Sequence, residues 1–169
     1  MKDCTFYKDF TFENFKPSNN EIAYDTALKF AQNPQNERFC PILFYGQTGS
    51  GKTHLINAIG NYIQSSYSEV KIFYMTTESL MNEFTDSLRE QTFDNFRKKY
   101  RSLDVLLLDD IQFLEKTKNL QEEILYIFDE IHRNVGQLVF TSDRPIQDFD
   151  FIDNRLMTRL LGCCCVEVK

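Results

Sequence analysis

Eight consecutive residues constrain this chain more than any others: Gly46-Gln47-Thr48-Gly49-Ser50-Gly51-Lys52-Thr53, a complete G-x-x-x-x-G-K-[ST] run. The apolar segment Ile42-Leu43-Phe44-Tyr45 precedes it, and the helix-forming run His54-Leu55-Ile56-Asn57-Ala58-Ile59 follows. Glycines at 46, 49 and 51 let backbone amides converge on phosphate oxygens without interference from a Cβ. The helix start adds the positive end of its dipole. Lys52 is then placed to reach β- and γ-phosphates, and the Thr53 hydroxyl to ligate Mg²⁺. The run therefore predicts a nucleoside triphosphate site with Mg²⁺.

A phosphate loop of this kind needs an acidic residue at the end of a second apolar strand. Val105-Leu106-Leu107-Leu108-Asp109-Asp110 supplies one. A parallel sheet brings Asp109 beside Thr53 to hold the metal's hydration shell, and Asp110 follows where it can polarise an attacking water. A third strand exit, Thr141-Ser142-Asp143-Arg144-Pro145, offers a polar side chain between these loops that can sense the γ-phosphate.

Apolar runs at 42–45, 71–75, 105–108, 138–141 and 163–168 alternate with helical patterns at 21–31, 51–64, 78–89, 93–101, 120–134 and 153–161. The run 105–108 is apolar throughout, as expected of a strand covered on both faces. The fold expected is α/β and three-layered, a P-loop NTPase core with a parallel five-stranded sheet flanked by helices, in a single domain over 1–169.

Composition narrows the function classes. With 25 acidic and 19 basic residues the net charge is −6, which opposes whole-molecule attraction to nucleic acid but not local patches. No apolar run is long enough for a membrane span, and residues 1–10 lack a signal-peptide core, so a cytoplasmic location is expected. Of five cysteines, Cys163, Cys164 and Cys165 are adjacent, and Cys4 and Cys40 stand apart. Neighbouring strand residues point to opposite faces, so this triplet reads as a buried apolar strand, not a metal site or a disulfide framework.

Taken together, Phe10-Thr11-Phe12-Glu13-Asn14-Phe15, Gly49-Ser50-Gly51-Lys52-Thr53-His54-Leu55, Asp109-Asp110-Ile111-Gln112-Phe113-Leu114 and Ser142-Asp143-Arg144-Pro145 resemble the AAA+ module of the DnaA replication initiators. The resemblance covers nearly the whole chain, and Asp-Asp-Ile-Gln-Phe-Leu is its discriminating piece. Helicase loaders of the DnaC type and transposition ATPases of the IstB type share the loop but usually lack the Ile-Gln-Phe continuation.

The resemblance implies ATP or ADP as the nucleotide, and further roles with it. Asp143 matches the sensor 1 position, Arg159 the arginine finger that reads a neighbour's γ-phosphate, and Arg155 a second arginine supporting self-assembly. His54 falls in the nucleotide-binding segment, and Asn20 matches an asparagine near the adenine wall. Residues 78–101 match an initiator-specific insertion that bends the assembly into a spiral filament. Within 89–101, five basic residues against two acidic ones give a local +3, with Phe93, Phe96 and Tyr100 interleaved. Such a strip can contact a DNA backbone, or be a helix with its aromatics facing the core.

The family's helical lid and C-terminal helix-turn-helix domain are not expected within 1–169, and weaker nucleotide affinity and hydrolysis follow from that. The function implied is an ATP-dependent initiator core that self-assembles on origin or single-stranded DNA, with slow hydrolysis as its switch. A DnaA paralogue that regulates the initiator or engages a replication helicase or its loader is the alternative. A small-molecule kinase is a third class, for which no acceptor site is evident.

Overall fold

A computed structural model describes residues 6–34 and 40–169. Cys4 lies outside the described residues. The elements run α1 (Glu21–Ala31), β1 (Ile42–Tyr45), α2 (Lys52–Ser66), β2 (Ile72–Thr76), α3 (Thr77–Arg89) and α4 (Phe93–Arg101). Then come β3 (Val105–Asp109), a 3-10 turn (Ile111–Lys116), α5 (Lys118–Arg133), β4 (Gln137–Ser142), a second short turn (Ile146–Asp148), α6 (Asn154–Leu161) and β5 (Cys164–Glu167).

The five strands form one parallel sheet in the order β2-β3-β4-β1-β5. Side chains alternate across it, and the two faces feed two separate cores. Leu106, Leu108, Leu138 and Phe140 face α3, α4, α5 and α6. Val105, Leu107, Val139, Ile42 and Phe44 face α1, α2 and the aromatic segment that precedes α1. This is the expected three-layer α/β sandwich. Every residue of β3 and β4 is buried, which is why these strands carry no polar alternation. Each fully buried Leu, Val or Phe there contributes about 1.5–3 kcal/mol of transfer free energy.

The edge strand differs from expectation. Cys163 is buried, but Cys164 and Cys165 are exposed, so the triplet is not a buried strand. The reason is position: β5 pairs with β1 alone, and of its four residues only Val166 is buried. No helix among the described residues is long and apolar enough to cross a membrane.

The segment before α1 is stitched onto α2 by a polar stripe at i, i+3 and i+7. His54 Nε2 meets Thr11 O at 2.8 Å, Asn57 Oδ1 accepts from Tyr7 N at 3.2 Å, and Asn61 Nδ2 donates to Tyr7 O and Phe10 O at 2.9 Å each. Gly60 makes the seat for Phe6: an added Cβ would lie 2.0 Å from its ring.

Candidate nucleotide site

The phosphate loop connects β1 to α2 at the C-terminal edge of the sheet. Its conformation needs glycine for two different reasons. At Gly46 a Cβ would lie 1.9 Å from Val168 O, so the loop could not pass the end of β5. At Gly49 and Gly51 φ is +86° and +103°, and Gly51 additionally abuts the Phe15 ring at 2.9 Å from a would-be Cβ. The helix then opens at Gly51 without a capping side chain, so its first backbone N–H groups have no intrahelical partner.

Lys52 is buried, and its Nζ donates to Gly46 O and Gln47 O at 2.8 Å each, closing the loop on itself. Burial pulls its ammonium below the usual lysine range, and Asp110, Asp109 and Asp143 pull it back up. Lys52 and the acidic pair are therefore neighbours, as the motif spacing required. The loop, together with Tyr45, Asp143, Arg144, Pro145 and the end of β5, lines a cavity of about 650 Å³.

Asp109 is 1% exposed and bracketed by hydroxyls from three elements. Thr141 on β4 donates to Oδ1, Tyr74 on β2 donates to Oδ2 at 3.1 Å, and the Thr53 hydroxyl of α2 adjoins the carboxyl. Burial pushes the Asp109 carboxyl up, and the Thr141, Thr53 and Tyr74 hydroxyls act against that. The same Thr141 hydroxyl accepts from Asp110 N at 2.8 Å. Asp110 adopts φ +59°, which ends the strand and lets Gln112 bridge: Nε2 donates to Asp110 Oδ1 at 3.1 Å, and Oε1 accepts from Asp143 N at 3.3 Å. β4 thus stands between β1 and β3 and links all three loops, as the third strand exit implied.

These residues fit a metal-bound triphosphate. Ser50 Oγ is buried with no hydrogen-bond partner, the loop admits no Cβ at Gly46, and the Thr53 hydroxyl and Asp109 carboxyl adjoin. That donor set, a hydroxyl and a carboxylate, is the hard-oxygen type that suits Mg²⁺.

The other sequence candidates have these partners. The His54 ring stacks on Phe10 at 4.7 Å and meets Phe15 edge-on, so its side chain serves the aromatic segment. Asn20 exchanges two hydrogen bonds with the Lys169 backbone, at 2.8 and 2.7 Å. Arg159 pairs with Asp129 at 2.8 Å and Arg155 with Asp153 at 3.3 Å, both on the outer face of α6 and neither among the residues lining the loop cavity.

In the α3–α4 pair the aromatics face inward: Phe96 and Tyr100 are 3% and 0% exposed. Arg97 and Arg101 both pair with Glu123, Lys99 with Glu83 and Arg89 with Asp86. The strip read as a possible DNA contact is thus a packed helix with most of its charge internally matched. Three contributors to the site went unread as such in the sequence: Tyr74, Asn57 and Gln112.

Comparison with known proteins agrees with this geometry. The family model described as the bacterial DnaA ATPase domain matches residues 6–167. The chromosomal replication initiator protein DnaA of Borrelia duttonii is 42% identical over 163 residues, 96% of this chain. The chain spans only 34% of that relative's length. Domain III of the Thermotoga maritima initiator DnaA superposes with a TM-score of 0.92 at 36% identity, over 98% of this chain and 69% of that one. A solved replication initiator DnaA bound to AMPPCP and single-stranded DNA gives 0.91 at 32% identity, over 97% of this chain and 51% of that one. A matched family model over nearly every described residue, carried on the same sheet and loop, decides the matter: the chain belongs to the bacterial DnaA ATPase domain family.

Proposed function

We propose that this chain is the ATP-binding AAA+ core of a DnaA-like replication initiator, which self-assembles in its ATP form on origin DNA and resets by slow hydrolysis. The observation that carries this reading is the grouping of Asp109, Asp110 and Asp143 around Lys52, whose Nζ closes the phosphate loop. The solved relative holding AMPPCP and single-stranded DNA supports both the ligand and the partner.

Residues 46–53 would hold the phosphates through main-chain N–H groups and the Lys52 ammonium. Thr53 and Asp109 would hold Mg²⁺, which when bound neutralises charge on the β- and γ-phosphate oxygens. Asp110, oriented by Gln112, would accept a proton from the attacking water. Asp143 would report on the γ-phosphate through its backbone link to Gln112. Arg159 and Arg155, outside the chain's own cavity, would act at a neighbouring protomer's site.

Sedimentation of the chain with ATP, ADP or no nucleotide, beside Lys52→Ala, tests the reading. Larger species with ATP than with ADP, lost in Lys52→Ala, are expected. Identical sedimentation in all nucleotide states, with no nucleotide binding by calorimetry, would reject it.

A further inference from the structure

Asn57 is 0% exposed in the fourth position after Thr53, on a helix face that otherwise packs against the sheet. A buried amide is costly unless satisfied, and this one is hydrogen-bonded through both its nitrogen and its oxygen. Its Nδ2 donates to Thr53 O at 2.8 Å and its Oδ1 accepts from Tyr7 N at 3.2 Å. Close by, the Tyr74 hydroxyl donates to Asp109 Oδ2 at 3.1 Å. The Tyr74 ring is held by Phe6 and Tyr7, with centroids 6.0 and 6.5 Å away.

Asn57 therefore holds the backbone of Thr53, and Tyr74 holds the carboxylate of Asp109. Thr53 and Asp109 are the two residues assigned to the metal in the reading above, on which this inference rests. We propose that Asn57 and Tyr74 are positioning residues that fix Thr53 and Asp109 relative to each other for a divalent cation, with the segment around Tyr7 as their outer support. Thr141 holds the other carboxylate oxygen, so Asp109 is oriented from both neighbouring strands. The Tyr74 hydroxyl occupies Oδ2 as a donor, which leaves the remaining lone pairs of the carboxylate directed by the protein. Partners of this outer kind typically change metal affinity about 10–100-fold when removed.

Tyr74→Phe is the decisive variant, because it keeps the ring against Phe6 and Tyr7 and deletes only the hydroxyl. A fluorescent ribose-substituted ATP is titrated into the chain in EDTA, and then Mg²⁺ is titrated into the complex. The Mg²⁺ midpoint is expected to rise about 10-fold in Tyr74→Phe, with the EDTA affinity within about twofold of wild type. Asn57→Ser, followed by thermal melting, provides the second variant and is expected to move the same midpoint. A purely structural role would lower melting temperature while leaving the midpoint in place, and that result in Tyr74→Phe overturns the inference. If the wild-type chain itself shows no Mg²⁺-dependent binding, the site reading falls, and this one with it. A normal wild-type response matched by Tyr74→Phe sinks this inference alone.

Discussion

Arg101 Nη2 lies 2.7 Å from Glu123 Oε1, and the Glu123 side chain is only 3% exposed. Arg97 reaches the other oxygen at 3.1 Å, so one buried carboxylate on α5 anchors α4 through two guanidinium groups. Removing the charge with Glu123→Gln leaves two cations facing an amide that cannot match them. Loss of one partner of a buried pair is destabilising, and the partial exposure of both arginines tempers the effect to about 2 kcal/mol. Melting temperature should fall by about 4–8 °C for a chain of this size. A melt shifted by less than a degree would show that α4 is held by Phe96 and Tyr100 alone.

Gly46 and Gly49 should not respond alike to alanine. Gly49 has φ +86° and open space around the new Cβ, so Gly49→Ala carries only the left-handed backbone cost of about 1 kcal/mol. Gly46→Ala drives a methyl into Val168 O, a backbone atom that cannot swing aside. Urea unfolding should therefore rank Gly46→Ala well below Gly49→Ala in stability. The reverse order would mean that the end of β5 yields more readily than its pairing with β1 implies.

How far the sequence could be read depended on how local each signal was. The phosphate loop and the Asp109-Asp110 pair each announce themselves in one stretch of chain, and the sheet brings them together as expected. Thr141 was visible only as part of a strand exit, because its link to Asp109 crosses between strands. Tyr74 reads as an ordinary aromatic in an alternating strand, and Asn57 as a polar residue on an amphipathic helix. A buried asparagine one turn past a phosphate-loop threonine was the available signal. His54 sits in a ligand-binding motif by position, yet its ring serves Thr11 and Phe10, which no spacing rule discloses. The cysteine triplet misled for the opposite reason: apolarity marks a strand but not whether that strand is at the edge.

Cys163 offers a pH test independent of the nucleotide site. Burial pushes its thiol up to about 12, so the folded chain keeps this proton after the unfolded chain has lost it. The folded pKa lies above the unfolded one, so its contribution is intact below about pH 9 and is lost as pH rises toward 12. Stability should drop by about 1.4 kcal/mol per pH unit from this group alone across that window. Cys163→Ala should flatten that part of the profile. Thiol alkylation at neutral pH should spare Cys163 and mark the exposed Cys164 and Cys165. Equal labelling of all three in the folded chain would contradict the burial.

Arg159 is held by Asp129, its Nε 2.8 Å from Oδ1, on a surface where both side chains remain partly exposed. An exposed pair of this kind is weak, so it restrains the arginine without locking it. If Arg159 delivers its charge to a neighbouring protomer's γ-phosphate, Asp129 competes for that charge in the free chain. Asp129→Asn should then favour ATP-dependent assembly, lowering its midpoint concentration modestly, as loss of an exposed pair allows. Arg159→Ala should erase the difference between ATP and ADP while leaving nucleotide affinity of the single chain unchanged, because the residue lies outside its own loop cavity. Sedimentation at several protein concentrations measures both. Assembly that is indifferent to Arg159→Ala would remove this arginine from the interface, and the Asp129 pair would then be a surface contact between α5 and α6.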